Sequence, residues 1–435
     1  MDKLAMIRDA GVVGAGGAGF PTHVKLDCQA EFVIANGAEC EPLLRVDQQV
    51  MEFEARDVVE GLRIEMELVG AKEGIIFLKE HYTGAIRALR DVLKHEKKIR
   101  LHIVDSFYPA GDEQQIIYEV TRRVVPPGGL PKDVGCVVNN VSTLVNVAKA
   151  VRGEPVTDKY VTVGGAVKAP CTIRVPIGTP LSALVEYAGG PLEEDSVLIV
   201  GGPCMGAVTE NWEQSVTKTT GGVLVIPRSH PLLERKNPEI NLKVMQSVCC
   251  QCTMCTQMCP RHALGLGTSP HKAMRAVACG ADLVGDVAGI LSCCDCGLCT
   301  YYACNFGLKP SHIMKMLKGS LMQKGLRANR DRMGEPDRYI EDKRLPTGRL
   351  IARLGIEDYD VPAPMETGLL PVPVVRIPTK MHTGAPGRPV VKPGDRVIRG
   401  QLILDLPEKG LGAKIHASID GTVTEVTQTY VEVRA

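Results

Sequence analysis

Aromatic residues are scarce, at 4% of the 435 residues. A chain so poor in aromatics offers few stacking platforms for single-stranded nucleic acid. Charge of one sign is missing as well: 51 Lys and Arg stand against 50 Asp and Glu. Without a surplus, neither nucleic acid nor an anionic membrane is expected as the main partner. No run reaches the about 18 uncharged apolar residues of a membrane span. The nearest, residues 276–292, carries Asp282 and Asp286. The N-terminus MDKLAMIRDAG has scattered charges and no apolar signal core. A soluble, cytoplasmic chain in a reducing compartment is expected. Histidines show no paired spacing, so no His ligand is assigned.

Cysteine is what the chain has in excess. Sixteen are present, eleven of them between Cys249 and Cys304. In a reducing compartment such crowding points to metal rather than to disulfides. Cys249, Cys252, Cys255 and Cys259-Pro260 spell C-x2-C-x2-C-x3-C-P, the bacterial ferredoxin run. Three thiolates on one tight loop reach three irons of a cubane, and the fourth, turned by proline, points at a second cluster. Cys293, Cys296 and Cys299 repeat the triad, with Cys304 after four residues rather than three and Asn305 in place of proline. One [4Fe-4S] cluster is therefore expected on Cys249, Cys252, Cys255 and Cys304, the other on Cys293, Cys296, Cys299 and Cys259. The alternative, a pair of zinc knuckles, usually shows two separated C-x2-C pairs. Cys250 and Cys294 are expected to pack near the clusters. Cys28, Cys40, Cys136, Cys171, Cys204 and Cys279 are expected to be core thiols.

At roughly 150 residues per domain, the length predicts about three domains. The first 155 residues alternate strand and helix. Strands are predicted at 31–36, 74–80, 98–105 and 135–140, and helices at 83–95, 113–123 and 141–152. Another helix is predicted after Asp47, its cap, with Met51, Ala55, Val58, Leu62, Met66 and Val69 stepping by three and four. Repeated strand–helix units with continuous apolar strands predict a parallel α/β sheet. Residues 156–235 read as a small strand-rich domain around the helix PLSALVEYAGG. Residues 236–320 hold the cysteines in helical, Met-rich sequence, and 321–365 read as a linker or wrapping segment. Residues 366–435 read as short strands between Gly and Pro turns, where Gly394-Asp395-Arg396-Val397 is echoed by Asp420-Gly421-Thr422-Val423. This pattern resembles a barrel-sandwich hybrid, the fold of lipoyl domains. Lys409, in Glu-Lys-Gly, carries no acceptor-lysine motif, so an unmodified docking domain is expected.

Gly14-Ala15-Gly16-Gly17-Ala18-Gly19-Phe20 precedes the first strand. Glycines at this density let backbone N–H groups approach a phosphate. A dinucleotide fingerprint would follow a strand and open a helix, which this run does not, so a nucleotide site and a plain surface loop stay level on spacing alone. Around it, GAGGAGFPTHVK, NGAECEPLLRVD, YPAGDEQQ, VPPGGLP and VNNVSTLVNV resemble, in order, the flavoprotein family shared by the C subunit of the Rnf complex and the NADH-binding subunit of respiratory complex I. YVTVGGAV resembles the start of that family's β-grasp (SLBB) domain. The C-terminal domain resembles the one at the N-terminus of the Rnf subunit, and this order resembles the corrinoid reductases (PduS-type) of diol-degrading microcompartments.

The resemblance implies FMN. Gly14, Gly16 and Lys25 would hold phosphate and ring; Asn36, Ala38 and Glu39 would line the isoalloxazine; Gly111 and Glu113 would form an acidic turn against the flavin. Asn139, Asn140 and Thr143 would lie on the phosphate side. NADH would lie on the flavin near Gly17, Phe20, Glu41 and Glu113, the two glutamates being the catalytic candidates, and Ala15 stands where the complex I relative has Arg. The implied function is an NADH-dependent electron-transfer flavoprotein feeding a corrinoid, a ferredoxin or a partner reductase, as part of a larger complex. It would work in the cytoplasm, beside a membrane complex or inside a microcompartment. The alternative is a relay adapter that binds no NADH.

Overall fold

The computed structural model describes residues 2–281, 285–407 and 409–435, so Asp282 and Glu408 of the sequence reading lie outside the described residues. Four strands, Phe32–Asn36, Glu73–Lys79, Ile99–Val104 and Cys136–Asn140, form one parallel sheet. Phe32–Asn36 is central, paired with Glu73–Lys79 on one side and Cys136–Asn140 on the other. Its alternate residues serve two cores. Val33 and Ala35 pack with the helices Ala55–Val69 and Val141–Val151, while Ile34 packs with Ile116 and Ile117 of the helix Glu113–Thr121. Helices on both faces explain why the strands read as unbroken apolar runs. Gly61 lets two of those helices touch: a Cβ there would lie 2.0 Å from the Leu144 carbonyl oxygen.

The helix predicted after Asp47 is two helices, Val46–Phe53 and Ala55–Val69, broken at Glu54. Asp47 is not their cap. It lies inside the first helix, where its carboxylate accepts a hydrogen bond from Asn140 Nδ2 at 2.9 Å.

A six-stranded sheet runs in the order Met365–Leu369, Cys171–Pro176, Asp158–Gly165, Gly222–Pro227, Ser196–Val200, Ala207–Thr209, beside the helix Leu181–Tyr187. Its outer strand Met365–Leu369 comes from far along the chain and runs parallel to Cys171–Pro176. The stretch 321–365 carries more structure than a linker. Leu345–Pro346 pairs with Phe107–Tyr108, and the helix Thr347–Leu354 buries Leu350, Ile351 and Leu354 beside Cys296 and Tyr301. The C-terminal strands form two small sheets, in which the echoed words pair with each other through Arg396↔Thr422 and Val397↔Gly421. Among the described residues no helix is long and apolar enough to cross a membrane.

Candidate functional site

In a parallel sheet the crevice forms at the carboxyl ends of the strands where the order reverses. Here that point lies between Phe32–Asn36 and Cys136–Asn140, which end in register at Asn36↔Asn140. The glycine loop meets this crevice: a Cβ on Gly16 would lie 3.1 Å from the Asn140 side chain. Gly14 N–H donates to the Phe20 carbonyl (2.9 Å) and Gly19 N–H to the Gly14 carbonyl (3.1 Å), which closes the loop. Thr143 Oγ1 accepts from Ala15 N–H at 2.9 Å and so anchors the loop from below. Asn140 caps the helix Val141–Val151, and the buried Ser142 Oγ in its first turn has no partner. At the opposite wall, Asn36 Nδ2 donates to the Gly111 carbonyl (2.9 Å) and its Oδ1 accepts from Ala38 N–H (3.2 Å). Lys25 bridges the crevice, donating to Glu113 (3.0 Å) and to the Val138 carbonyl. Glycine loop, helix N-terminus and orphaned hydroxyl fit a phosphate group.

Partners that the sequence reading missed come from afar. Asn139 Nδ2 donates to buried Glu65 (2.8 Å). Lys159, from the six-stranded sheet and only 6% exposed, donates to the Ala15 carbonyl at 2.8 Å, bringing a cation to the loop position where Arg was missed. Its signal was a lysine set into the apolar strand KYVTV. Burial pulls Lys159 down to about 8, with Asp47 and Glu39 opposing. Burial pushes Glu39 well above the carboxylate range, and Asp47 and Glu41 add to the push while Lys79 and Lys159 oppose it. Cys40, expected as a core thiol, accepts from Gly111 N–H, and Cys279 is exposed rather than buried.

Glu65 gives a pH signature. Burial raises it from 4.5 to about 7, against the Asn139 hydrogen bond and Lys25. A carboxyl raised by folding stabilises below its unfolded value, and that contribution is lost as pH rises through the folded value. The loss thus falls between pH 4.5 and about 7. Glu65→Gln should resist heat better than wild type at pH 8, by up to about 3 kcal/mol, with the difference vanishing at pH 4.5. Equal differences at both pH values would refute this.

Cys249, Cys252, Cys255 and Cys304 line one cavity, with His271 and Phe306 in its wall. The four-residue spacing before Cys304 is absorbed by a π turn, Cys299–Ala303, in which one extra residue fits a single wider turn. Burial first, then Cys304, Cys252 and Cys249 beside it, push the Cys255 thiol up to about 12. Thiols crowded so closely ionise together only if a cation compensates them. Cys259, Cys293, Cys296 and Cys299 crowd a second place, which Cys294 shares. Among the described residues no three His, Cys, Asp or Glu side chains close around a point as a single metal ion requires. The fit to clusters rests on these shared surroundings. Cys259→Ser should remove the EPR signal of the cluster on Cys293, Cys296 and Cys299. Loss of the other signal would overturn the assignment.

The second cysteine set abuts the crevice. Tyr108 OH donates to the Cys296 carbonyl (2.5 Å), and Gln115 Nε2 to the Pro260 carbonyl (2.9 Å). Arg261 grips Asp112 through Nε and Nη2, both at 2.8 Å. All three partners flank Gly111: Tyr108 in the strand Phe107–Tyr108, Asp112 at the cap of the helix Glu113–Thr121 and Gln115 within it. Glu41, expected at the nucleotide, has its hydrogen-bond partners in another element. Its carboxylate accepts from Cys204 N–H (2.8 Å) and Met205 N–H (3.0 Å), with Tyr108 Oη 3.3 Å away, so it fastens a loop of the six-stranded sheet to this junction. Glu113 stays with the crevice through Lys25. Phe20 contributes its backbone to the loop closure, and Gly17 stands exposed.

Comparison with known proteins follows the same division. The Nuo51 FMN-binding domain matches residues 7–149, the SLBB domain 160–208, the 4Fe-4S dicluster domain 248–309 and the RnfC barrel sandwich hybrid domain 363–435. The cobalamin reductase PduS of Citrobacter freundii is 43% identical over 98% of this chain and 95% of its own length. That of Salmonella typhimurium is 44% identical over the same shares. The C subunit of the Na+-translocating ferredoxin:NAD+ oxidoreductase complex of Acetobacterium woodii is 36% identical over 61% of this chain and 59% of its own.

Proposed function

The chain belongs to the family of the cobalamin reductase PduS, and from that premise we propose that it oxidises NADH at the crevice and passes the electrons through both cysteine sites to a partner protein or corrinoid. As an oxidoreductase of this family it carries FMN and two [4Fe-4S] clusters. Bound FMN supplies a group that accepts two electrons as hydride and releases them singly, which one-electron clusters require.

The chain's own residues would do the rest. Gly14, Gly16 and Lys25, with Asn139, Asn140 and Thr143, would hold phosphate and ring; Asn36, Ala38, Glu39 and Gly111 would line the ring. Gly17 and Phe20 would shape the nicotinamide seat. Glu113, paired with Lys25, would hold that lysine at the crevice. The observation that carries the reading is the direct grip of the residues flanking Gly111 on the second cysteine set, through Tyr108, Asp112 and Gln115. Electrons leaving the crevice would meet Cys259, Cys293, Cys296 and Cys299 first. They would leave past Cys249, Cys252, Cys255 and Cys304, where Cys252 and Phe306 are exposed.

Anaerobic titration with NADH tests this. The expected result is bleaching of the flavin band, then of the broad cluster absorbance, in protein with about eight irons. Bleaching by dithionite but not by NADH would refute it.

A further inference from the structure

Arg261 is a buried cation caught between two functional parts. Its side chain is 11% exposed, and Asp112, which it grips twice, only 4%. The Cys294 thiol, which adjoins Cys293 and crowds Cys259 and Cys296, lies within reach of the Arg261 charge. Arg261 is itself two residues from Cys259, and Asp112 follows Gly111 of the crevice. A guanidinium cannot lose its charge at working pH. The pair is therefore a fixed dipole, its positive end toward the second cysteine set and its negative end toward the flavin turn.

We propose that Arg261 is a positioning residue that holds up the reduction potential of the second cysteine site, while Asp112 limits the effect. When that site takes one electron, its charge becomes more negative by one. No bond changes and no proton moves. A buried cation against the thiol shell favours the reduced form, because low dielectric leaves the charges poorly screened. The site facing the flavin would thus draw single electrons from it. This rests on the ligand assignment given above, which Cys259→Ser tests separately.

Redox titration followed by EPR on the full, loaded chain reads the effect. At the potential where the wild-type site is half reduced, Arg261→Gln should lower the ratio of reduced to oxidised form about tenfold, a fall of about 59 mV for one electron. Arg261→Lys, which keeps the charge, should recover most of the shift. Asp112→Asn should move the potential upward, because it removes the negative end and leaves the guanidinium. The signal from the site on Cys249, Cys252 and Cys255 should move less in every variant. A merely structural bridge would shift Arg261→Gln and Asp112→Asn in the same direction. That outcome, or no shift in either, would overturn the proposal. If Arg261→Gln fails to assemble its cluster, the opposite displacements of Asp112→Asn and Arg261→Lys relative to wild type still decide it.

Discussion

Glu41→Ala is expected to lower stability by about 3 kcal/mol and to leave the rate of NADH-driven dye reduction within a few-fold of wild type. The carboxylate accepts from two backbone amides, Cys204 N–H and Met205 N–H, of a loop that comes from the six-stranded sheet. Gly202 makes room for it: a Cβ there would lie 2.1 Å from Glu41 Oε2. Alanine leaves both amides without an acceptor, that of buried Cys204 and that of exposed Met205, and an unmade buried hydrogen bond costs more than a made one contributes. The Tyr108 hydroxyl has one proton and gives it to the nearer Cys296 carbonyl, so that link should survive. Glu41→Gln keeps one acceptor oxygen and should fall between the two. Thermal unfolding and steady-state dye reduction, measured side by side, separate the roles. A loss of dye reduction of a hundredfold without loss of stability would restore Glu41 as a group acting on the nucleotide.

The contrast between Glu41 and the cysteines shows what a sequence can reveal here. Cluster ligation needs several thiols on one tight loop, so the spacing of Cys249, Cys252 and Cys255 carries the chemistry within a few residues. The parallel sheet was legible for a similar reason: strands covered on both faces must be apolar throughout, as in Phe32–Asn36 and Cys136–Asn140. The partners of the crevice residues were not legible. Asn139 meets Glu65, Asn140 meets Asp47, and Ala15 meets Lys159, each across a long stretch of chain. A polar residue that reads as a cap or a surface charge in its own segment takes its role from whichever element packs against it. The helix Thr347–Leu354 was missed because eight residues give too few turns for a period to stand out among charges. The wider spacing before Cys304 raised a question that only the backbone answers, with the π turn Cys299–Ala303.

Gly17→Val is expected to abolish NADH-driven reduction, by a hundredfold or more, while leaving both clusters reducible by dithionite. Gly17 has φ +118°, where a side chain is strained and a β-branched one most of all. That alone costs about 1–3 kcal/mol locally. The loop cannot easily relax. Besides its internal closure, Thr383 holds it from the C-terminal sheets, donating N–H to the Gly19 carbonyl (2.9 Å) and Oγ1 to the Ala18 carbonyl (2.8 Å). No atom lies within 4 Å of where a Cβ on Gly17 would stand, so the valine methyls would project into the open space over the loop. If the nicotinamide stacks there, they occupy its seat, and hydride transfer fails because the ring cannot reach its near-attack position. A hundredfold loss corresponds to about 2.7 kcal/mol of barrier. The complementary variant, with Ser at Cys249, Cys252 and Cys255, should keep NADH-driven reduction of a small dye and lose transfer to a protein or corrinoid acceptor. Rates of dye reduction in the two variants decide between the possibilities. Opposite outcomes assign the nucleotide step to the glycine loop and the exit step to the outer cysteines. Equal loss in both would mean that the two steps cannot be separated, and dye reduction by Gly17→Val at the wild-type rate would place the nicotinamide elsewhere.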